Sequence, residues 1–346
     1  MIDKEKIKQP VINMFKTNMG LKTGETVLVV TDVPIMDDWK SKSSDQLTDF
    51  IQRTLLAKAV SEIASESFQE CPVEFYVYPS VGKSGTDPGV EVAEKMKTAD
   101  VLIAITNHSL SHTDAREGAS KVGVRVASMP GFTVDMFYPG GPMAADYMKI
   151  KEETEKFTKL ITDAKEAVIK TPAGTDISFS LEGRNGNVDA GIFTERSAWG
   201  NLPSGEAYTA PLEGTAEGRV VVEKGWHPGL TENMTLVFKK GEVIEVIGGR
   251  KIGDEFRDLL KPGVDEEPYK SRRNLAELGI GTNPFAKKPD NTLEAEKIRE
   301  TVHVAVGDSS HMGGTVNADL HEDFVLPKPD LYFDGKPIIK RGEIII

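Results

Sequence analysis

Four short apolar runs alternate with helical patterns in the first part of this chain, and this alternation restricts the fold more than any other feature. The runs are rich in β-branched residues and are bounded by Gly, Asp, Asn or Pro, which is typical of buried strands. They cover residues 25–32, 73–79, 101–107 and 124–130. Between the first two, residues 45–65 carry apolar side chains at helical spacing. Strands that alternate with helices form a parallel sheet, so we expect an α/β domain.

The pattern changes in the second half of the chain. Residues 142–165 are charged and amphipathic, which predicts one long helix. Short strands with turn signals follow, as in TDISFSLEG, GRVVVEKG and the hairpin pattern LYFDGKPIIK. The polar stretch 285–297 is predicted to be a loop that leads into a short helix. We therefore predict an N-terminal α/β domain with a mainly parallel sheet over residues 1–168. A β-rich α+β domain that binds metal is predicted over residues 169–346.

Composition excludes several classes of function. No apolar run approaches the ~20 residues that a membrane helix needs, and the charged N-terminus lacks the features of a secretory signal. Cys71 is the only cysteine, so no disulfide can form within the chain, which favours a cytoplasmic protein. The net charge of -12 argues against a nucleic-acid partner. No glycine-rich phosphate loop follows the first strand, so nothing indicates a nucleotide cofactor.

Histidine is concentrated near the end of the chain. Three of the six histidines, His303, His311 and His321, lie within residues 301–327. In a strand, residues two apart face the same side, so His321 and Asp323 present an imidazole and a carboxylate together. His303 has only Ala305 as its neighbour on the same face, which leaves room for an ion. A buried structural histidine is the alternative for each, and His311 is interpreted as a solvated loop residue.

Two glutamates extend this candidate metal site. Glu206 follows Pro and Gly in NLPSGEAYTAP, where the backbone can approach a ligand closely. Glu277 lies in the apolar, glycine-flanked segment RRNLAELGIG, where an unpaired charge is costly unless a cation meets it. Arg272, Arg273 or a metal ion can provide that charge. Exposure of either glutamate on the protein surface remains the alternative.

Four segments together resemble a known family. They are NLPSGEAYTAP, RRNLAELGIGTNP, EAEKIRETVHVAVGD and LHEDFVL, in this order, and they resemble the thermophilic-type metalloaminopeptidases, which include aminopeptidase T, aminopeptidase S and related leucyl aminopeptidases. The resemblance implies a site for two metal ions built from Glu206, Glu277, His303, His321 and Asp323. It also implies that Glu206 and Glu277 are catalytic, with Glu277 bridging the ions.

The function implied by this resemblance is removal of N-terminal residues from small peptides. Two divalent ions, zinc, cobalt or manganese, would activate a water that attacks the peptide carbonyl. The family resemblance further implies a homodimer. The family has a tyrosine shortly after its first histidine, whereas this chain has GDSSH there.

Two other functions stay open. Ring-opening enzymes that resemble 2,5-dihydroxypyridine dioxygenase share the broad fold and use one Fe(II) held by two histidines and an aspartate. His303, His321 and Asp323 could serve that chemistry. A catalytically silent binding protein of the same fold is the third possibility, because fold does not determine function. The presence of both glutamates favours the two-metal aminopeptidase.

Overall fold

The chain divides into two compact units. The computed structural model describes residues 2–346. The first unit contains the chain up to Met148 and the segment Gly191–Ser204, and the second contains Lys149–Ala190 and Gly205–Ile346. The domain boundary near residue 168 stays a prediction. No helix within residues 2–346 is both long enough and apolar enough to span a membrane.

The first unit is built on a parallel sheet. Its elements are α1 (Lys4–Asn13), β1 (Val27–Val33), α2 (Met36–Ser41), α3 (Ser44–Ser67), β2 (Val73–Pro79), α4 (Val90–Met96), β3 (Val101–Ala104), α5 (Asp114–Lys121), β4 (Arg125–Ser128) and β8 (Trp199–Asn201). The strand order is β2-β1-β3-β4-β8, and every pair is parallel. The four predicted strands and the parallel sheet are therefore confirmed. Strand β8 was not predicted, because its three residues carry no apolar pattern.

Helix α3 shows how the sequence sets an element boundary. The hydroxyl of Ser43 accepts a hydrogen bond from the backbone N–H of Gln46, and the side-chain oxygen of Gln46 accepts one from the backbone N–H of Ser43. This reciprocal pair of hydrogen bonds satisfies two backbone N–H groups that have no partner within the first turn of a helix. The helix therefore begins one residue before the predicted range and continues two residues beyond it, to Ser67.

The second unit contains two antiparallel sheets. Its elements are α6 (Tyr147–Asp163, which begins in the first unit), β5 (Glu166–Lys170), β6 (Asp176–Ser180), β7 (Asn187–Asp189), β9 (Glu206–Thr209), β10 (Glu217–Val222), β11 (Met234–Lys239), β12 (Glu242–Gly248), α7 (Arg250–Leu260), α8 (Tyr269–Arg272), β13 (Leu275–Gly281), α9 (Thr292–Ala295), β14 (Val302–Gly307), β15 (His321–Leu326), β16 (Asp330–Phe333), β17 (Lys336–Lys340) and β18 (Glu343–Ile344). The larger sheet has the order β12-β11-β10-β6-β5-β16-β17-β18, and the smaller has the order β15-β14-β13-β9-β7. A mixed α/β fold with parallel and antiparallel sheets is thus confirmed.

Local sequence explains two further features of this unit. Asp334 and Gly335, both with positive φ, form the tight turn between β16 and β17, as the DG pair predicts. The predicted helix over residues 142–165 is shorter in the structure, because Pro142–Ala144 form a separate 3₁₀ turn and α6 begins at Tyr147.

One apolar cluster joins the two sheets of the second unit. Leu278, Val304 and Phe324 of the smaller sheet share this buried cluster with Ile169 and Leu236 of the larger one. Successive side chains of a strand point to opposite faces, so the alternate residues of β13, β14 and β15 lie on the other side of the smaller sheet. That second face carries the candidate site.

Candidate metal centre

The smaller sheet brings all five predicted ligands to one face, which we call the site face. They are Glu206 on β9, Glu277 on β13, His303 on β14, and His321 and Asp323 on β15. Paired residues on adjacent strands point to the same face. Glu277 and Asp323 both pair with Ala305, one on each side of β14. The alternation of β14 therefore places His303 with the polar groups and its valines in the core.

Small residues form the floor between these ligands. Gly279 pairs with His303, and a Cβ atom built on Gly279 would lie 2.0 Å from Nε2 of that histidine. Only glycine at residue 279 lets the imidazole lie across β13. Ala305 fills the corresponding place between Glu277 and Asp323 with a single methyl group. The site face thus has space for an ion at the level of the ligand side chains.

The ligand atoms form two groups that share Glu277. In the first, Nε2 of His303 lies 3.3 Å from Oε2 of Glu206 and 3.4 Å from Oε1 of Glu277. In the second, Nε2 of His321 lies 3.1 Å from Oε2 of Glu277 and 3.6 Å from Oδ1 of Asp323. Within each group, one ligand atom per residue lies within 4.8 Å of the others. The first group is buried, whereas His321 and Asp323 leave the second partly exposed.

The residues present fit a divalent metal ion. Oε2 of Glu206 and Oδ1 of Asp323 are buried and accept no hydrogen bond from the described residues. A buried carboxylate oxygen without a donor is costly, and a cation removes that cost. Imidazole nitrogen and carboxylate oxygen are the ligands that zinc, iron and manganese accept. Both the open oxygens and the ligand chemistry therefore match a metal site.

The charges of the site are strongly coupled. Burial alone would raise the pKa of Glu277, but hydrogen bonds with His303 and His321 outweigh burial and hold that pKa below its usual range. Burial would lower the pKa of His303, yet Glu277 and Glu206 raise it to about 9. The pKa of His321 is raised in the same way by Asp323 and Glu277. Without an ion the two imidazoles are thus positive, and they take the place of the metal charge.

The charge on Glu277 is met by these imidazoles, not by the neighbouring arginines. The guanidinium of Arg272 binds Asp319 through two hydrogen bonds of 2.7 and 2.6 Å. Arg273 pairs with Glu242 at 3.1 Å. The prediction that Arg272 or Arg273 neutralises Glu277 is therefore wrong.

A loop after β14 orients His321. Nδ1 of His321 lies 2.8 Å from the backbone oxygen of Asp308, so the ring donates its Nδ1–H there and turns Nε2 toward Glu277. His311 lies beside it, with ring centroids 5.2 Å apart, and its Nδ1 is 2.6 Å from Oδ2 of Asp308. His311 is therefore exposed in the loop, as the sequence predicts, and Asp308 holds it next to the site. Glu322 lies on the opposite face of β15 and contacts His227 at 2.9 Å.

Lys297 is the main residue that sequence reasoning missed. It lies just after α9, at the end of the stretch predicted to be a polar loop, yet it is only 3% exposed. Its Nζ is 2.5 Å from Oε1 of Glu206, 3.0 Å from Oε2 of Glu296 and 3.7 Å from Oδ2 of Asp189. Burial opposes its charge, but Glu206, Glu296 and Asp189 raise the pKa of Lys297 well above its usual value. An ammonium group thus lies beside the buried ligand group.

Tyr208 also lies on the site face, two residues after Glu206 on the same strand. Burial, followed by the charges of Asp189 and Glu206, raises its pKa. Tyr208 could have been found from the sequence, because Glu206 and Tyr208 have the spacing of side chains on one face of a strand. A tyrosine is therefore available from β9, although none lies in the segment GDSSH shortly after His303.

Comparison with known proteins decides between the families. The sequence model of the family described as NicX, 2,5-dihydroxypyridine 5,6-dioxygenase, matches residues 12–346. The chain belongs to the NicX family. The 2,5-dihydroxypyridine 5,6-dioxygenase of Pseudomonas putida KT2440 is 24% identical over 200 residues, which are 54% of this chain and 56% of that relative. The chain thus matches little more than half the length of this curated relative.

Solved structures show the same fold as this NicX-family chain. The structure of 2,5-dihydroxypyridine dioxygenase from Pseudomonas putida KT2440 has a TM-score of 0.73 at 17% identity, and covers 100% of this chain and 98% of that one. Wild-type AmpT from Thermus thermophilus has a TM-score of 0.64 at 15% identity, and covers 99% of this chain and 100% of that one. At these identities both comparisons describe fold alone.

The prediction of a metalloaminopeptidase is wrong, and with it the description of the chain as a hydrolase and protease. The matching family and the curated relative are dioxygenases, which are oxidoreductases. The segments that carried the resemblance contain strands β9, β13, β14 and β15, and the AmpT likeness is a likeness of fold. A sheet that gathers carboxylates and imidazoles can serve either chemistry, so the motifs could not separate the two families.

Proposed function

We propose that this NicX-family protein is an iron(II)-dependent dioxygenase that opens the ring of 2,5-dihydroxypyridine or a closely related hydroxylated pyridine. The observation that carries the proposal is the ligand group formed by Glu277, His321 and Asp323, in which His321 and Asp323 are partly exposed to solvent. Three protein ligands with an open side leave positions for small molecules. The dioxygenase family and the Pseudomonas relative support the choice of reaction and ring.

The sequence predicts His303, His321 and Asp323 as the ligands of a single iron. We assign Glu277, His321 and Asp323 instead, because these three offer ligand atoms close to one another, whereas His303 lies 3.4 Å from Oε1 of Glu277 in the other group. Iron(II) supplies one-electron chemistry with O₂ that imidazoles and carboxylates lack. His321 is held for this task by Asp308, whose backbone oxygen fixes the ring at Nδ1.

Glu206 is assigned to proton transfer. Burial raises the pKa of Glu206 above its usual range, against the opposing charges of Lys297 and His303. Its Oε1 is bound by Lys297, whereas Oε2 accepts no hydrogen bond from the described residues. A carboxylate whose pKa is raised can accept and return a proton near neutrality. We therefore propose that Oε2 of Glu206 takes the proton of a ring hydroxyl.

Oxygen uptake tests the function. Protein loaded with Fe(II) under anaerobic conditions should consume O₂ only when 2,5-dihydroxypyridine is added, in equal molar amounts. With ¹⁸O₂, both labelled atoms should enter the product. Asp323→Ala should abolish uptake, whereas Glu322→Gln, on the opposite face of the same strand, should retain it. If folded, iron-loaded protein binds the ring without oxygen uptake, the silent binding protein becomes the better assignment.

The remaining assignments are also proposals. We propose that residues 169–346 form the β-rich metal-binding domain, with the boundary near residue 168, and that the protein is a cytoplasmic homodimer without a nucleic-acid or membrane partner. Light scattering on the purified protein tests the dimer: a mass of one chain, 37.8 kDa, would contradict it. The peptide substrate is not retained, because it followed from the aminopeptidase assignment.

A further inference from the structure

We propose that the ammonium group of Lys297 supplies the charge of a second cation beside the buried ligand group and thereby limits the site to one ion. The inference deepens the proposed function, since it concerns the ion content of the same site. Two potential ligand groups share Glu277, so the ligands alone would allow two ions with a bridging carboxylate. Lys297 is the feature that makes the two groups different, because it contacts only the buried group containing Glu206.

The contacts of Lys297 are those of a bound cation. A lysine ammonium has three N–H donors and no acceptor. Three carboxylates lie within 3.7 Å of its nitrogen, from Glu206, Glu296 and Asp189. These carboxylates come from β9, from the chain next to α9 and from β7. Lys297 thus gathers acidic groups from separate segments, as a metal ion in this place would do.

The backbone holds Lys297 in position. Its carbonyl oxygen accepts a hydrogen bond of 2.9 Å from the N–H of Asn283, and its own N–H donates to the oxygen of Glu294 at 3.1 Å. The side chain is 4% exposed, so its stem cannot swing into solvent without disrupting its surroundings. The ammonium is therefore a fixed part of the site.

An ion in the buried group would compete directly with this ammonium. Such an ion needs Glu206, and Lys297 already binds Oε1 of that carboxylate. An ion on Oε2 would share one carboxylate with the ammonium, where burial removes most screening of their repulsion. Within residues 2–346, the ammonium of Lys297 forms ion pairs with Glu206, Glu296 and Asp189, and none with Glu277 or Asp323. One ion in the partly exposed group is therefore the expected occupancy.

Removal of the lysine charge tests the proposal. Lys297→Met keeps an unbranched apolar stem and removes the ammonium, so three buried carboxylates lose their cation. Metal-free wild type, Lys297→Met and the surface control Lys165→Met are each loaded with excess Mn(II) and desalted. Metal per chain is then measured by mass spectrometry, and electron paramagnetic resonance distinguishes single from coupled ions. We expect one uncoupled ion in wild type and control, and two coupled ions in Lys297→Met.

Two results would overturn the inference: two ions in the wild type, or a folded Lys297→Met protein that still binds one. If the methionine variant does not fold, Lys297→Gln replaces it, with the same expectation of two ions. The number of ions bound by the wild type tests the inference in either case. Lys297→Arg should keep one ion, because the charge is retained. The outcome is separable from that of the proposed function. If the wild type binds one ion but consumes no oxygen, the proposed dioxygenase function is refuted and the inference about Lys297 stands. If the wild type binds two ions and consumes oxygen, the inference about Lys297 is refuted and the proposed function stands.

Discussion

The imidazole of His303 lies across Gly279 of the neighbouring strand, so closely that a methyl group on residue 279 would be 2.0 Å from Nε2 of the histidine. We therefore expect Gly279→Ala to push His303 away from Glu277. Metal affinity should fall about 10–100-fold, as it does when a residue that orients a ligand is lost, and circular dichroism should stay that of wild type. Gly118→Ala is the control, because its methyl meets only the flexible end of Lys97 at 3.2 Å. Unchanged metal affinity in Gly279→Ala would contradict the position of His303.

His321 is expected to be essential for metal retention. His321→Ala removes the imidazole whose Nε2 lies 3.1 Å from Glu277 and 3.6 Å from Asp323. Affinity should fall by more than the roughly 10–100-fold that a lost orienting partner costs. Elemental analysis after purification without added metal measures this loss. Glu322→Gln is the matched control, and wild-type metal content in His321→Ala would refute the ligand assignment.

The stability of the metal-free protein should depend on pH through His303. Its pKa is about 9 in the folded chain, above the ordinary value of 6.5. A raised pKa means that the stabilising contribution is complete below about pH 6.5 and is lost as the pH rises through about 9. The urea midpoint of metal-free wild type should therefore fall over this range more than that of His303→Gln. Equal falls in both proteins would show that His303 carries no such proton.

Metal binding should show the opposite pH dependence. An ion bound to Glu277 would repel the positive imidazole of His303, whose Nε2 lies 3.4 Å from Oε1 of that glutamate, and displace its proton. Apparent affinity should therefore rise with pH up to about 9, by about tenfold per unit for each proton released. Titration of Co(II) into metal-free protein at several pH values measures this slope. In His303→Gln the slope should decrease by about one proton, and an unaltered slope would count against the proton on His303.

A substitution on the core face of the smaller sheet should lower stability without affecting metal binding. Phe324 is fully buried in the cluster between the two sheets of the second unit. Phe324→Ala should lower the free energy of unfolding by about 3–5 kcal/mol, while the folded variant keeps its metal. Urea denaturation and elemental analysis test the two halves of this prediction. A variant that loses metal at full stability would show that the two faces are not separate.

The sequence predicted the parts of the fold that follow from local patterns. The four runs of the parallel sheet are visible because buried strands are continuous apolar segments, and the DG turn because its residues accept positive φ. His303, His321 and Asp323 were found because alternation along a strand fixes which side chains share a face. The short strands β7 and β8 were missed, since three residues do not establish a pattern.

Lys297 and Asp189 could not be found in the same way. Lys297 reaches both Glu206 and Asp189 from a segment that is distant in sequence, and neither Lys297 nor Asp189 has a periodic pattern that places it inside the protein. The class of reaction was also beyond the sequence motifs. Glutamate, histidine and aspartate at these positions suit both a hydrolase and an oxygenase, so the family comparison, not the ligand types, separated them.

His303 lies between two valines along β14, and this alternation determines how the protein responds to substitutions and insertions in the strand. Val302 and Val304 face the apolar cluster while His303 faces the ligands. A substitution at one of these positions affects one side of the sheet. Insertion of a single residue into β14 would instead exchange the sides, burying an imidazole among hydrocarbon and turning valines toward the carboxylates. A one-residue shift in β14 would therefore damage the metal centre and the apolar core together, whereas the loss of one side chain damages only one of them.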